Sequence, residues 1–388
     1  MTHISVPTGE PYEVILGKGL LDTAGERLKE MLDPETAVIV ADSHTGPLFR
    51  EKLEKSLKNA GISNVLTYEF QAGEARKNAG TYLSLLSFLA DHSVTRKDCL
   101  LALGGGVVGD LTGFAAATYL RGIPYVQIPT TMLAVSDSSV GGKTAIDLQE
   151  GKNLVGCFYQ PALVLADLDT LDTLPTEIFR EGCAEVIKYA VLFDPALFDH
   201  LSEKGLVFDR ERVLSQCVRW KRDVVVQDEH DHGVRQLLNL GHTIGHAVER
   251  CSDYQISHGS AVAMGLGAIT RASRNMGICE KETEETVLDI LKTFGLPTSL
   301  PYGPSELAQA ALHDKKRSGG TISCIFPEKI GKCRIQSLPV AELEGLIALG
   351  RLCFLVNILV EQGSPVHYQQ SMWVVFLQFC TAMHHKAA

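Results

Sequence analysis

Cys99-Leu-Leu-Ala-Leu-Gly-Gly-Gly-Val-Val-Gly-Asp110 joins a short apolar run to a glycine-rich turn and the start of a helical pattern. Gly104, Gly106 and Gly109 have the G-x-G-x-x-G spacing, in which the backbone can approach a pyrophosphate at a helix N-terminus. The alternative is a tight strand-to-helix turn that needs glycine only for its φ angles. The standard dinucleotide-binding motif follows the first strand, whereas this one follows a later strand.

Apolar runs rich in β-branched residues alternate with amphipathic stretches around this motif. The alternation predicts a mostly parallel, Rossmann-like sheet wrapped by helices. The predicted strands are residues 37–41, 64–70, 99–103, 125–128 and 163–166, and the amphipathic stretches include residues 46–60 and 77–90.

Strand signals become rare after about residue 170. The later patterns predict an all-α second domain with helices at residues 174–193, 210–227, 235–250, 260–276 and 281–294. We therefore expect an α/β domain at residues 1–170, a helical domain at residues 171–350 and an apolar C-terminal extension of unknown role at residues 351–388.

Composition limits the function. The chain has 388 residues, 45% of them hydrophobic, which is long enough for two globular domains. A net charge of −10 argues against nucleic acid or an anionic membrane as a partner. The N-terminus lacks a signal peptide pattern and the ten cysteines show no Cys-x-x-Cys spacing, so we expect a cytoplasmic protein with reduced thiols. The apolar runs at residues 353–360 and 372–379 are shorter than the roughly 20 residues of a membrane helix.

Three histidines lie within 17 residues, at positions 242, 246 and 258, and Glu185 precedes them. Neutral imidazoles and a carboxylate are the ligands of a catalytic metal site. His242 and His246 are four residues apart, and on a helix they would share a face, so spacing alone predicts this pair as ligands. The alternative is that each is a surface histidine or a hydrogen-bonded core histidine.

A second group of polar residues suits a phosphorylated, anionic ligand. Asp42 ends a predicted strand and could accept hydrogen bonds from a ribose diol, although it could equally cap the next helix. Gly141-Gly-Lys-Thr144 resembles the end of a P-loop, but Asp137 stands where that motif needs its first glycine, which argues against a P-loop ATPase. Lysines beside glycines can bind phosphate, or can be solvated loop charges. The candidate cations are Arg121, Lys143, Lys152, Lys188, Lys221, Arg235 and the run Asp314-Lys-Lys-Arg317.

Several motifs together resemble the 3-dehydroquinate synthase family, and the resemblance runs from about Val6 to about residue 347. They are Gly104-Gly-Gly-Val-Val-Gly-Asp110, Pro129-Thr-Thr131, Gly141-Gly-Lys-Thr144, Gly182-Cys-Ala-Glu-Val-Ile-Lys188, Asn239-Leu-Gly-His-Thr-Ile-Gly-His246, His258-Gly259 and Asp314-Lys-Lys316. Asp231, usually glutamate in the family, and Ile244, often phenylalanine, are mild departures.

The resemblance implies a homodimeric sugar phosphate cyclase that uses NAD and zinc or cobalt. The implied metal ligands are Glu185, His242 and His258, which replaces the pairing predicted from spacing and puts His246 near the substrate phosphate. The implied NAD positions are Asp42, Glu74, Lys77, Gly105, Gly106, Asp110, Thr130, Thr131, Lys143, Lys152 and Thr173. The implied catalytic residues are Asp137, Lys143, Lys188, Asn239 and His246. The implied substrate contacts are Lys152, Asn153, Lys221, Arg235, one of Lys315 and Lys316, and Arg121 reaching into the neighbouring subunit's site.

The implied reaction converts 3-deoxy-D-arabino-heptulosonate 7-phosphate to 3-dehydroquinate and phosphate, a step of aromatic amino acid biosynthesis. Another sugar phosphate cyclase would share the NAD and metal motifs, but Lys221 and Arg235 favour a substrate with a carboxylate. A metal-dependent polyol dehydrogenase has a similar plan but would accumulate NADH. A catalytically silent metal- or nucleotide-binding protein is disfavoured, because none of the residues proposed for the chemistry is missing.

Overall fold

A computed structural model describes residues 1–314 and 320–351. The chain divides into two compact units. The first comprises Met1–Val186 and Val207–Arg235, and the second comprises Ile187–Leu206 and the described residues from Gln236 onward. The first division, between Val186 and Ile187, lies later than the expected boundary near residue 170. The first unit also includes Val207–Arg235, which lies beyond that boundary.

A seven-stranded sheet forms the centre of the first unit, in the order β1-β2-β9-β6-β5-β3-β4. All neighbours in this sheet are parallel except β1 and β2. The five predicted strands are confirmed, whereas β1, β2 and a separate β7–β8 hairpin were not predicted. The strands are β1 (Thr2–Val6), β2 (Tyr12–Gly17), β3 (Thr36–Asp42), β4 (Asn64–Phe70), β5 (Cys99–Gly104), β6 (Tyr125–Pro129), β7 (Lys143–Leu148), β8 (Gly151–Phe158) and β9 (Leu163–Asp167).

Helices cover both faces of this sheet. Its parallel strands carry apolar side chains on both sides, and both faces must therefore be buried. On β3, Ile39 points to one apolar cluster while Val38 and Val40 point to the other. The first cluster takes residues from α1 and α2, and the second takes residues from α3 and α4. The helices are α1 (Leu20–Met31), α2 (Thr45–Asn59), α3 (Ala79–Asp91), α4 (Gly106–Thr118) and the long α5 (Thr176–Phe193).

Helix α7 (Arg210–Gln227) explains why residues 207–235 belong to the first unit. It packs against β1 and β2, at the antiparallel end of the sheet, and against the short π-helix Ala134–Ser138. Its buried side chains include Val213, Leu214 and Val218. A segment beyond the expected boundary thus completes the core of the α/β unit.

The second unit is helical, but it is not all-α as predicted. An antiparallel hairpin of β10 (Thr321–Lys329) and β11 (Lys332–Pro339) accompanies its helices. The helices that lie wholly in this unit are α6 (Pro195–Lys204), α8 (His242–Cys251), α9 (His258–Asn275), α10 (Lys281–Thr293), α11 (Pro304–Asp314) and α12 (Leu343–Arg351).

One predicted helix is broken. Residues 235–250 were expected to form a single helix, but a 3-10 turn at Val234–Asn239 ends before α8 begins at His242. Gly241 has a φ of 79°, in the left-handed region that an α-helix cannot include. The break makes His242 the first residue of a new helix.

No helix of residues 1–314 and 320–351 is both long enough and apolar enough to cross a membrane. Lys315, Lys316 and nearly all of the expected extension at residues 351–388 lie outside the described residues.

Candidate active site

The parallel strands bring most of the expected NAD positions to one edge of the sheet. Asp42 ends β3, Gly105 and Gly106 follow β5, and Thr130 follows β6. The same edge carries Glu74 and Lys77 after β4 and Thr173 after β9. Strand order reverses between β3 and β5, and in such sheets ligands bind beyond the carboxyl ends of the strands at this switch point.

The glycines after β5 are required for space rather than for unusual φ angles. Gly105 has a φ of −79°, and Gly104, Gly106 and Gly109 are not among the described glycines with positive φ. A Cβ on Gly104 would lie 2.5 Å from Val108, and one on Gly109 would lie 2.7 Å from the Gln127 amide of β6. The alternative of a turn that needs glycine for its φ angles is therefore wrong, and Gly109 allows α4 to pack closely on the sheet.

Asp42 caps the following helix. Its Oδ1 accepts hydrogen bonds from the backbone N–H groups of His44 (3.0 Å) and Thr45 (2.8 Å) and from the Thr45 hydroxyl (3.0 Å). The capping alternative is thus observed. It orients the carboxylate at the end of β3, and the role toward a ribose stays a prediction.

Lys77 is at the centre of a buried ionic network. Its Nζ lies 3.0 Å from Glu74 Oε1, 3.3 Å from Asp110 Oδ2 and 2.7 Å from Asn153 Oδ1. Burial alone would lower the pKa of Lys77, but the carboxylates of Asp110, Glu74 and Asp147 raise it above its usual value. Lys77 is therefore a permanent cation that holds several acidic groups together.

The pKa values of two acidic partners of Lys77 shift in opposite directions, upward for Asp110 and downward for Glu74. Burial raises the pKa of Asp110 to about 6, although Lys77 opposes the change. Burial would also raise the pKa of Glu74, but Lys77 and Lys152 lower it below its usual value. Lys152 Nζ lies 3.6 Å from Glu74 Oε1, so two expected NAD-binding lysines share one carboxylate.

The β7–β8 hairpin carries three expected ligand contacts that the sequence had suggested were on loops. Lys143 begins β7, and Lys152 and Asn153 lie at the start of β8. Lys143 Nζ lies 2.5 Å from Asp231 Oδ2, so the residue at the family's usual glutamate position pairs with this lysine. Asn153 has a φ of 56°, a strained conformation for a non-glycine residue.

The two cations expected to bind a carboxylate, Lys221 and Arg235, are buried and hydrogen-bonded within the first unit. Lys221 Nζ donates to Asp137 Oδ1 at 2.7 Å, and Asp137 lies on the π-helix, a feature common at functional sites. The Arg235 guanidinium donates to the carbonyl oxygens of Gly141 (2.9 Å) and Glu229 (2.5 Å). These contacts fix the direction of the guanidinium fork.

Arg121 has an unusual backbone. It ends the 3-10 turn Tyr119–Arg121 with a φ of 68°, next to Leu120 at 50°. Its side chain is exposed. Residues in such sparsely populated conformations cluster at active sites and ligand-binding segments. The reach of Arg121 toward a neighbouring subunit stays a prediction.

The three histidines form one cluster in the second unit. His242 and His246 lie on consecutive turns of α8, and His258 begins α9. Ring centres are 5.4 Å apart for His242 and His246, 5.4 Å for His242 and His258, and 6.0 Å for His246 and His258. The structure therefore confirms that the three histidines predicted to cluster from their spacing lie close together.

Glycines allow the two helices to approach closely enough to form it. A Cβ on Gly265 of α9 would lie 2.0 Å from the carbonyl oxygen of Gly241, and one on Gly245 would lie 3.0 Å from that of Ala261. Any side chain at these positions would separate α8 from α9.

Hydrogen bonds orient two of the imidazoles. His242 Nδ1 lies 3.0 Å from the carbonyl oxygen of Leu240, and His258 Nδ1 lies 3.3 Å from Glu249 Oε2. Ligand atoms of His246, Glu249 and His258 all lie within 4.8 Å of one another. Glu249 was missed by sequence reasoning, although its position three residues after His246 on a predicted helix could have indicated it.

The remaining expected residues are on identifiable elements. Glu185 and Lys188 lie three residues apart on α5, hence on one face of it, and both are buried. Lys188 Nζ lies 5.1 Å from the centre of the Tyr189 ring. Asn239 ends the 3-10 turn before α8.

Solved structures identify the class to which this fold belongs, that of the sugar phosphate cyclases. The structure of 2-deoxy-scyllo-inosose synthase complexed with carbaglucose-6-phosphate, NAD+ and Co2+ gives a TM-score of 0.80 at 23% identity, covering 89% of this chain and 99% of that chain. The structure of 2-epi-5-epi-valiolone synthase from Streptomyces hygroscopicus, with NAD+ and Zn2+ bound, gives a TM-score of 0.78 at 28% identity, covering 87% of this chain and 96% of that chain.

Sequence comparison then defines the family. Residues 67–181 match the family described as 3-dehydroquinate synthase N-terminal, and residues 182–317 match 3-dehydroquinate synthase C-terminal. The 3-dehydroquinate synthase of Enterococcus faecalis is 42% identical over 350 residues, which cover 89% of this chain and 97% of that protein. The chain belongs to the 3-dehydroquinate synthase family, as its motifs predicted.

Proposed function

We propose that the protein catalyses the conversion of 3-deoxy-D-arabino-heptulosonate 7-phosphate to 3-dehydroquinate and phosphate. The reaction combines NAD-mediated oxidation, phosphate elimination, reduction, ring opening and aldol cyclisation. The observation that carries the proposal is the 42% identity to a 3-dehydroquinate synthase over nearly the whole length of both proteins. The buried cations Lys221 and Arg235 add support, because they suit a substrate with a carboxylate.

NAD would be held by residues at the carboxyl edge of the sheet. Gly105 and Gly106 open α4, whose N-terminus and backbone N–H groups suit a pyrophosphate. The oriented carboxylate of Asp42 suits a ribose diol. The remaining proposed contacts are Glu74, Lys77, Asp110, Thr130, Thr131, Lys143, Lys152 and Thr173.

We assign a divalent metal, zinc or cobalt, to Glu185, His242 and His258. The donor set fits, since two imidazoles and a carboxylate suit either ion. The contacts of Nδ1 in His242 and His258 would leave Nε2 as the nitrogen available to the metal in both residues. Glu185 is fully buried, and a carboxylate in that environment is stable only beside a cation or hydrogen-bond donors.

When bound, the metal and NAD would supply polarisation of a substrate hydroxyl and reversible hydride transfer. The protein's own residues hold the rest of the substrate. Lys221 and Arg235 would bind the carboxylate. The leaving phosphate would be stabilised by the ammonium groups of Lys143 and Lys152, by Asn153 and by His246. Asp137, Lys188 and Asn239 would position the reacting hydroxyls, and one of Lys315 and Lys316 would add a further cation.

The test is phosphate release by purified protein supplied with zinc and less NAD than substrate. Because the hydride is returned, each NAD should support many turnovers and NADH should not accumulate. A polyol dehydrogenase would instead reduce NAD in proportion to substrate. A cyclase of different specificity would release phosphate from another sugar phosphate and not from the heptulosonate phosphate.

The metal assignment has its own control on the same helix. Glu185→Gln should lower bound zinc and phosphate release together, whereas Glu177→Gln, at an exposed position of α5, should change neither. Unchanged metal content in Glu185→Gln would disprove the ligand assignment.

We further propose that the enzyme acts in the cytoplasm as a homodimer in which Arg121 serves the neighbouring subunit. The cysteines of residues 1–314 and 320–351 are thiols rather than disulfides, which suits a reducing compartment. The exposed, strained Arg121 supports the subunit contact. Sedimentation of the protein alone, and mixing of Arg121→Ala with a variant inactive at Lys143, would test the shared site.

A further inference from the structure

Asp147 lies between two groups of ligand-binding residues, yet neither the motifs nor the proposed chemistry gives it a role. It is the penultimate residue of β7, where the pairing with β8 becomes irregular. Its side chain is largely buried, with 16% of its surface exposed. A buried carboxylate at an irregular point of a hairpin needs a structural or functional reason.

Its backbone joins the hairpin to the segment that carries Lys77. The Asp147 N–H donates to the carbonyl oxygen of Lys77 at 2.7 Å, and Asp147 forms an isolated parallel bridge with Asn78. The hairpin is thereby attached directly beside the lysine at the centre of the ionic network.

Its side chain makes the second connection. Asp147 Oδ1 accepts the backbone N–H of Asn153 at 2.8 Å and lies 3.6 Å from Lys77 Nζ. Asn153 is in the left-handed region, which asparagine tolerates better than most non-glycine residues, and the hydrogen bond from its N–H to Asp147 is one contact that holds it there. With Asn153 in this conformation, its Oδ1 accepts from Lys77 Nζ at 2.7 Å.

We propose that Asp147 is a positioning residue, which holds Asn153 of the sugar phosphate site and Lys77 of the NAD site in one fixed arrangement. The proposal rests on the ligand assignments of the proposed function. The hydrogen bond to the Asn153 N–H needs only an acceptor oxygen, so an amide at position 147 can replace the carboxylate. Burial also raises the pKa of Asp147, although Lys77 opposes this change.

The experiment compares Asp147→Ala with Asp147→Asn. NAD affinity is measured by calorimetry without substrate, and KM and kcat are measured by phosphate release. Asp147→Ala should weaken NAD binding and raise the KM for the heptulosonate phosphate, each by about tenfold, which corresponds to loss of one buried hydrogen bond to a charged group. Asp147→Asn should stay within about threefold of the unchanged protein in both. Gln149→Ala, at the exposed turn of the same hairpin, should alter neither.

Three results would overturn the proposal. They are unchanged NAD affinity and KM in Asp147→Ala, a change in only one of the two, or equal losses in Asp147→Ala and Asp147→Asn, which would show that the charge matters rather than the acceptor. If the unchanged protein binds NAD but releases no phosphate, the proposed reaction fails. A normal NAD affinity in Asp147→Ala would overturn the positioning role independently of the reaction.

Discussion

Glu249 is not expected to bind the metal, but its carboxylate can determine which nitrogen of His258, a proposed metal ligand, is available to the metal. Its Oε2 lies 3.3 Å from His258 Nδ1, and the glutamate is 2% exposed. A carboxylate on Nδ1 fixes the tautomer and makes Nε2 a more basic ligand. Glu249 also belongs to a second possible donor group with His246 and His258, so its role must be separated from direct binding.

We expect Glu249→Gln to weaken zinc binding by about tenfold to hundredfold, because the neutral amide polarises His258 less. Competition with a chromophoric chelator measures the affinity. Glu282→Gln, at an exposed position of the same unit, is the control and should bind zinc normally. If Glu249→Gln instead abolishes zinc binding while Glu185→Gln leaves it intact, Glu249 is itself the ligand.

Asp110 should give the first unit a distinctive pH dependence. Burial raises its pKa from 3.8 to about 6, so the folded protein binds a proton that the unfolded chain releases. The resulting stabilisation is fully present below about pH 4 and is lost as pH rises through about 6. It amounts to about 3 kcal/mol at most.

Asp110→Asn mimics the protonated form at every pH. Its melting temperature relative to the unchanged protein should therefore be higher at pH 7.5 than at pH 5 by a measurable margin. Differential scanning calorimetry at pH 7.5 and pH 5 measures the two melting temperatures. Because both proteins share all other carboxyl groups, the change in the difference between them reports on Asp110. A difference independent of pH would mean that Asp110 is ionised throughout.

At the scale of elements, the buried parallel strands could be predicted from the sequence and the β7–β8 hairpin could not. Strands such as β3 and β5 are continuous apolar runs because both faces are covered by helices. β7 begins with the exposed Lys143, and β8 is largely exposed and carries Lys152, Asn153 and two glycines, so polar residues and glycines interrupt the apolar pattern that would mark a strand.

The break before α8 could not be predicted from the apolar pattern either. Apolar periodicity continues through Gly241, and periodicity cannot show that this glycine adopts a φ of 79°. Spacing therefore found the histidine cluster but predicted the wrong continuity for the helix that carries it. The roles of individual histidines came from the family resemblance, because proximity in sequence does not tell which nitrogen binds a metal and which binds a phosphate.

At the scale of the whole molecule, the proposed NAD contacts lie in the first unit, whereas the proposed metal ligands come from both units, Glu185 from the first and His242 and His258 from the second. Most proposed NAD contacts follow strands of the first unit, and the histidine ligands begin or lie on helices of the second. The proposed NAD site consists of the sheet edge and the network around Lys77, neither of which includes a histidine of the cluster.

Removal of the metal should therefore stop catalysis without emptying the NAD site. After dialysis against a chelator, we expect phosphate release to fall to background, since the substrate hydroxyl is no longer polarised. The dissociation constant for NAD, measured by calorimetry, should remain within about threefold, because no proposed NAD contact is a metal ligand. Added zinc should restore activity. A loss of NAD affinity greater than about tenfold would reveal a coupling free energy of about 1.4 kcal/mol between the two cofactors, and reciprocity would then require NAD to strengthen zinc binding by the same factor.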